Sequence, residues 1–127
     1  MGCASSEAAA PIPVSPGYTG PTSGDLKLNI LEARLVRDTD IFGTMDPFVK
    51  ITARMQEFKT KTRYNEGKSP NFQEVFDVDV KYIGDDIVFE MWTENICTSD
   101  EMIGQFRMKI SALCVNAGVD DWWCIMY

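Results

Sequence analysis

Seven short strand-like runs punctuate the chain from Asp25 to Met126, most of them alternating apolar and polar residues, and they leave few folds open. Alternation with period two is the signature of a half-buried strand, because successive side chains leave a strand on opposite faces. Val75–Val80 shows it most cleanly: Phe76, Val78 and Val80 go to one face and Asp77 and Asp79 to the other. Asp25–Leu31 places Leu26, Leu28 and Ile30 together, Ile87–Thr93 places Ile87, Phe89 and Met91 together, and Gly104–Ile110 does so for Phe106, Met108 and Ile110. Phe48–Met55, Phe58–Thr62 and Trp122–Met126 complete the set, with Ser111–Asn116 read as a short helical turn. Short strands joined by short links pair antiparallel. The chain is therefore expected to be all-β, an antiparallel β-sandwich in which these runs supply seven strands.

The N-terminal 23 residues follow other rules. Glu7–Gly24 is rich in Pro, Gly, Ser and Ala, cannot bury enough apolar surface to order itself, and is expected as a disordered tail and linker ahead of a domain over 24–127. Its first residues, MGCASS, fit M-G-x-x-x-[ST], which predicts a myristoyl group on Gly2, with Cys3 beside it for a palmitoyl group. One myristoyl chain binds membranes only marginally, with K of about 10⁴ M⁻¹, so the second chain makes the attachment stable. The N-terminus lacks the basic region and apolar core of a secretory signal. Four cysteines without metal-like spacing fit a reducing intracellular compartment, with Cys114 and Cys124 expected as small buried hydrophobes.

Composition removes several function classes. The chain has no histidine, so imidazole-dependent catalysis and zinc binding are out, and no cysteine stands beside an obvious base. An enzyme is not expected. A net charge of −7 offers no basic field for nucleic acid. No apolar run approaches the ~20 residues that span a bilayer.

The stretch LVRDTDIFGTMDPFVKI, Leu35–Ile51, carries the functional signal. Asp40 and Asp46 bracket a loop bent at Gly43, and Pro47 opens the strand that follows. Two carboxylates on the walls of a sharp loop suit a hard cation, while Ile41 and Phe42 place apolar side chains at its tip. This spacing resembles the first calcium-binding loop of C2 domains, β-sandwich modules that dock on membranes, and the resemblance implies about eight strands, the eighth left open. Ser69–Phe76 (SPNFQEVF) is similar to a second segment of that family, with Ser69 and Phe72 as departures, and the resemblance covers about residues 24–127.

The resemblance implies a third loop with three aspartates, at positions where this chain has Thr93, Asn95 and Glu101. Asp40, Asp46, Asn95 and Glu101 are the implied metal ligands, for at most one weakly held calcium ion at ~10⁻⁵ M or weaker, since affinity follows the number of charged ligands. Ile41, Phe42 and Ile96 are the implied membrane-inserting side chains. A basic stretch offers a second chemistry: residues 50–68 hold six cations and two anions, a local 6 − 2 = +4. Lys59 and Lys61 leave one strand face and Lys50 joins them from the next strand. In the family such lysines, with an aromatic at the place of Trp92, bind phosphoinositide headgroups. The reading is a peripheral membrane protein on the cytoplasmic face, lipid-anchored, its partners anionic lipids and a protein at the membrane. The alternative is a C2-fold scaffold with a decayed calcium site.

Overall fold

The structure is a computed structural model that describes residues 5–7 (backbone only), 21–35, 45–114 and 118–126. Seven strands appear among them: β1 (Ser5–Glu7), β2 (Gly24–Glu32), β3 (Pro47–Ala53), β4 (Gln56–Lys59), β5 (Asn71–Val80), β6 (Asp86–Thr93) and β7 (Glu101–Lys109). They form two antiparallel sheets, one of three strands in the order β1-β2-β5 and one of four in the order β4-β3-β6-β7. The all-β sandwich expected from the alternation is what the chain forms.

Packing follows the alternating residues. Leu26, Leu28 and Ile30 of β2 and Val78 and Val80 of β5 meet Val49 and Ile51 of β3 and Ile87, Phe89 and Met91 of β6 in one core. Phe72, 1% exposed, is among the largest side chains fully enclosed by it. Phe89 stacks on Phe106, with centroids 4.6 Å apart and planes 11° from parallel.

Several expected boundaries move, each for a local reason. β4 stops at Lys59 rather than Thr62 because the Thr60 hydroxyl accepts the Val49 N–H at 2.9 Å, where a backbone carbonyl would otherwise extend the ladder. β5 starts at Asn71, ahead of the alternating run. A bulge sets two β5 residues, Phe72 and Gln73, opposite one on β2, and Gln73 takes a positive φ of 52°, which breaks the period there. The helical turn is a 3₁₀ turn, Ile110–Leu113, that buries Ile110 and Leu113.

Trp122–Met126 is not a strand. Its one ladder contact is the Gln105–Met126 bridge, while Trp123 stacks at 6.3 Å on Phe106 and Ile125 packs beside Gly104, so side-chain packing against β7 replaces backbone pairing. Cys124 in this segment is exposed, contrary to expectation; Cys114 is buried, which pushes its thiol pKa up. At the other end, three residues of the expected tail pair with β2. An open strand edge offers hydrogen bonds to any tethered backbone, whatever its side chains.

Candidate functional site

Strand directions collect the marked residues at two places. β2 runs toward the segment that leads to Asp46, β3 runs away from it, β6 runs toward the 94–100 connection, and β7 runs away from that. The starts of β3 and β7 and the ends of β2 and β6 therefore share one end of the sandwich, the loop end.

Asp46 is held there by three contacts. Its N–H donates to the buried Thr93 hydroxyl at 3.2 Å, its carbonyl accepts the Glu94 N–H at 2.9 Å, and its Oδ1 accepts the Asn65 N–H at 2.7 Å. Glu94 accepts from the Thr62 hydroxyl at 2.6 Å and from the Tyr64 hydroxyl at 3.1 Å. That hydrogen bond and the carboxylate's charge raise the Tyr64 pKa above its usual 10.0. Asn95 turns inward on its own loop, its N–H donating to Asp100 Oδ1 at 3.1 Å and its side-chain amide to the Ser99 carbonyl at 2.9 Å. Glu101 opens β7, and Ile96 stands 93% exposed between them.

Among the described residues no three acidic or cysteine side chains gather in a way that would hold a metal ion. Asp40, Ile41 and Phe42, like Gly2 and Cys3, lie outside the described residues. The Thr62–Tyr64–Glu94 network was not legible from sequence. Its hydroxyls come from the β4–β5 connection, and only the fold brings that connection to the 94–100 loop.

The outer face of the four-stranded sheet is the second place. Lys50 of β3 pairs directly with Lys59 of β4 and, on its other side, with Glu90 of β6. Lys50 Nζ lies 3.4 Å from Glu57, and Lys59 Nζ sits 4.1 Å over the Phe48 ring, a cation–π contact. Phe48 pairs with Trp92 and Trp92 with Met102, an apolar row leading to the loop end. The Trp92 indole N–H is shielded from solvent and has no acceptor among the described residues, so the residue offers its ring rather than a donor. Lys61, placed with Lys59 by sequence, lies two residues beyond the end of β4, and its backbone N–H is held by Glu74 at 2.9 Å. Across the face, Lys109 and Arg107 approach Asp86 at 2.7 and 3.6 Å, and the Lys109 hydrogen bond lowers the Asp86 pKa below 3.8.

The profile of the C2 domain family matches residues 24–125, which takes in both places. The chain belongs to the C2 domain family. Human extended synaptotagmin-3 is 26% identical over 107 residues, spanning 80% of this chain and 12% of that protein. The Rho GTPase-activating protein gacEE of Dictyostelium discoideum is 28% identical over 101 residues, spanning 80% of this chain and 18% of that one. The chain thus covers under a fifth of either relative. Among solved structures, a C2 domain of RIM from Drosophila superposes with a TM-score of 0.73 at 13% identity, covering 98% of both chains. C2 domains are typically binding modules for membranes, lipids or proteins rather than enzymes, and among the described residues no helix is long and apolar enough to cross a membrane.

Proposed function

We propose that this C2 domain is a peripheral membrane module that docks on anionic phospholipid through the Lys50–Lys59 face. One observation carries the reading. Two lysines stand directly opposite each other on neighbouring strands of a chain whose net charge is −7. Like charges so placed oppose folding. An anionic headgroup turns that cost into attraction, about 1 kcal/mol for each Lys or Arg near the surface. Lysine on an edge strand also guards against aggregation, and β4 is an edge. β3, however, is flanked on both sides, so edge protection gives no reason for Lys50. The rings of Phe48 and Trp92 border the same surface.

Gly2 and Cys3 carry the anchor in this reading, a myristoyl and a palmitoyl group at the cytoplasmic face, which requires that Met1 be the initiating residue. The intact mass of the protein from its native cell checks both additions. Calcium is secondary: Asp40, Asp46, Asn95 and Glu101 would serve at most one weak ion, with Ile41, Phe42 and Ile96 entering the headgroup layer. The hydrogen bonds that already engage Asp46 Oδ1 and the Asn95 side-chain amide favour a second reading, a C2 scaffold for a protein partner with its calcium site decayed. The deciding experiment is vesicle co-sedimentation of the full chain made unacylated by Gly2→Ala, with phosphatidylserine and phosphoinositide present. Lys59→Glu with Lys61→Glu should abolish most binding. Unchanged binding would return the face to edge protection.

A further inference from the structure

β5 has an edge that no strand covers, since the three-stranded sheet ends on it. The Asp79 N–H donates to Gln56 Oε1 at 3.0 Å and the Asp79 carbonyl accepts from Gln56 Nε2, so both main-chain groups of Asp79 turn away from β2. A carboxamide has the donor and acceptor of a peptide group, so Gln56 takes the place of a neighbouring strand there. Main-chain direction alternates along a strand, and the β2–β5 register is regular from Gly24–Val80 to Ile30–Glu74. Val75 and Asp77 therefore turn the same way as Asp79. Beyond them the edge is engaged again: Arg63 donates to the Phe72 carbonyl at 2.6 Å, and Glu74 holds the Lys61 N–H. Side chains thus close both ends of the edge and leave 75–77 open, with N–H groups and carbonyls that have no partner among the described residues.

The side chains at this opening suit a strand of particular composition. β5 carries Glu74, Asp77 and Asp79 and no base, so lysine, the usual guard of an open edge, is absent from it. Arg63 lies 3.4 Å from Glu74 and Lys81 lies 2.6 Å from Asp79. Exposed Asp77 has Lys27 of β2 opposite it but no ion pair among the described residues. Val75, two residues away on the same face, is 57% exposed. On the inner face, partly buried Phe76 meets Phe58 of β4 at the seam between the sheets, with ring centroids 5.6 Å apart.

We infer that the 75–77 edge of β5 takes an extended segment of a partner protein as an added antiparallel strand, with the pattern basic–apolar–apolar. Strand addition draws affinity from main-chain hydrogen bonds and specificity from alternate side chains. Val75 and Asp77 each exchange two hydrogen bonds with the residue opposite. Running antiparallel, the segment first sets a Lys or Arg opposite Asp77. Its next side chain turns inward to Phe58 and Phe76, and the third, β-branched, meets Val75. β5 belongs to the sheet that does not carry Lys50 and Lys59, so the segment leaves their face uncovered. The site therefore works whether or not that face docks on lipid.

The test titrates the full chain, isotope-labelled for amide NMR and free of lipid, with the capped peptide Ser-Thr-Lys-Ile-Val-Thr-Ser. The amides of Val75 and Asp77 should shift and should exchange with solvent several-fold more slowly when the peptide is bound. Methylating the backbone nitrogens of the peptide's Lys and Val, which face β5, should abolish binding. Methylating that of Ile, which faces away, should change binding less than about twofold. Asp77→Lys should weaken binding of this peptide roughly tenfold and should favour a peptide with Glu in place of Lys. Val75→Pro removes only an N–H that points away from β2, so the fold should stand while binding is lost. Binding that ignores the methyl positions, or an Asp77→Lys protein that keeps its preference for the Lys peptide, overturns the added strand. So does a titration in which Val75 and Asp77 do not shift. Since no lipid is present, that failure would leave the docking proposed above standing.

Discussion

The two outer faces of the sandwich mirror each other in sign. On the three-stranded sheet, Asp25 of β2 stands directly opposite Asp79 of β5, beside the Lys27–Asp77 pair, and counting Lys81 the face sums to 2 − 3 = −1. On the four-stranded sheet, Lys50 stands opposite Lys59, and counting Glu57, Asp86, Glu90, Arg107 and Lys109 the face sums to 4 − 3 = +1. Each sheet thus carries one opposed like-charge pair, and each pair has found one counter-ion: Lys81 lies 2.6 Å from Asp79, and Glu57 lies 3.4 Å from Lys50. Folding alone has no use for either pair. Together they give the domain a charge axis across its thickness, and in the docking proposed above that axis would turn the Lys50–Lys59 face to an anionic surface and hold the acidic face away.

The comparison can be broken at its common support. Phe72 fills the core between the sheets, and Phe72→Ala should cost about 3–5 kcal/mol, read as a fall in the urea midpoint, with membrane binding lost along with the fold. Replacing Thr93, fully buried and bonded to the Asp46 N–H, tests the loop end instead. Thr93→Val leaves that N–H without its acceptor and should cost about 1–3 kcal/mol in urea unfolding. Membrane binding through the lysine face should survive it, which would separate the face from the loops.

The smallest effects are in pH. Hydrogen bonding to Lys109 lowers the Asp86 pKa, so its contribution to stability is present above the usual 3.8 and lost as pH falls through the lower folded value. Asp86→Asn should flatten the acid limb of a thermal-melting profile. Tyr64 has the opposite sign. Its raised pKa favours the protonated phenol, so its contribution holds below 10.0 and is lost as pH rises through the folded value. Tyr64→Phe should flatten the alkaline limb. Tyr64 is exposed and Asp86 half-exposed, so both changes should be slight.

Strand interiors were legible in the sequence because period two reports burial directly, as at Leu26–Ile30 and Phe76–Val80. The alternation failed where something other than burial set the backbone. A hydroxyl replaced a carbonyl at Thr60, a bulge reset the phase at Gln73, and aromatic stacking at Trp123 displaced strand pairing. The pairing of Ser5–Glu7 was hidden because an edge accepts backbone without regard to sequence. At the candidate site, the sequence put Lys50 and Lys59 on neighbouring strands, as the structure has them. The register that opposes Lys50 to Lys59, and leaves Lys61 beyond the strand, is a tertiary fact. So is the network of Glu94 with Thr62 and Tyr64, assembled from segments about 30 residues apart in the chain.

The account stands or falls on which face the membrane selects. Equilibrium binding of the full, unacylated chain (Gly2→Ala) to phosphatidylserine–phosphoinositide vesicles, at 0.1 M salt, would be compared for two double variants. Lys50→Gln with Lys59→Gln removes about 2 kcal/mol of attraction and should weaken binding roughly 30-fold. Asp25→Asn with Asp79→Asn acts across the thickness of the sandwich, beyond the ~10 Å screening length, and should change binding less than about twofold. The opposite ranking, or equal effects from the two faces, would contradict the account.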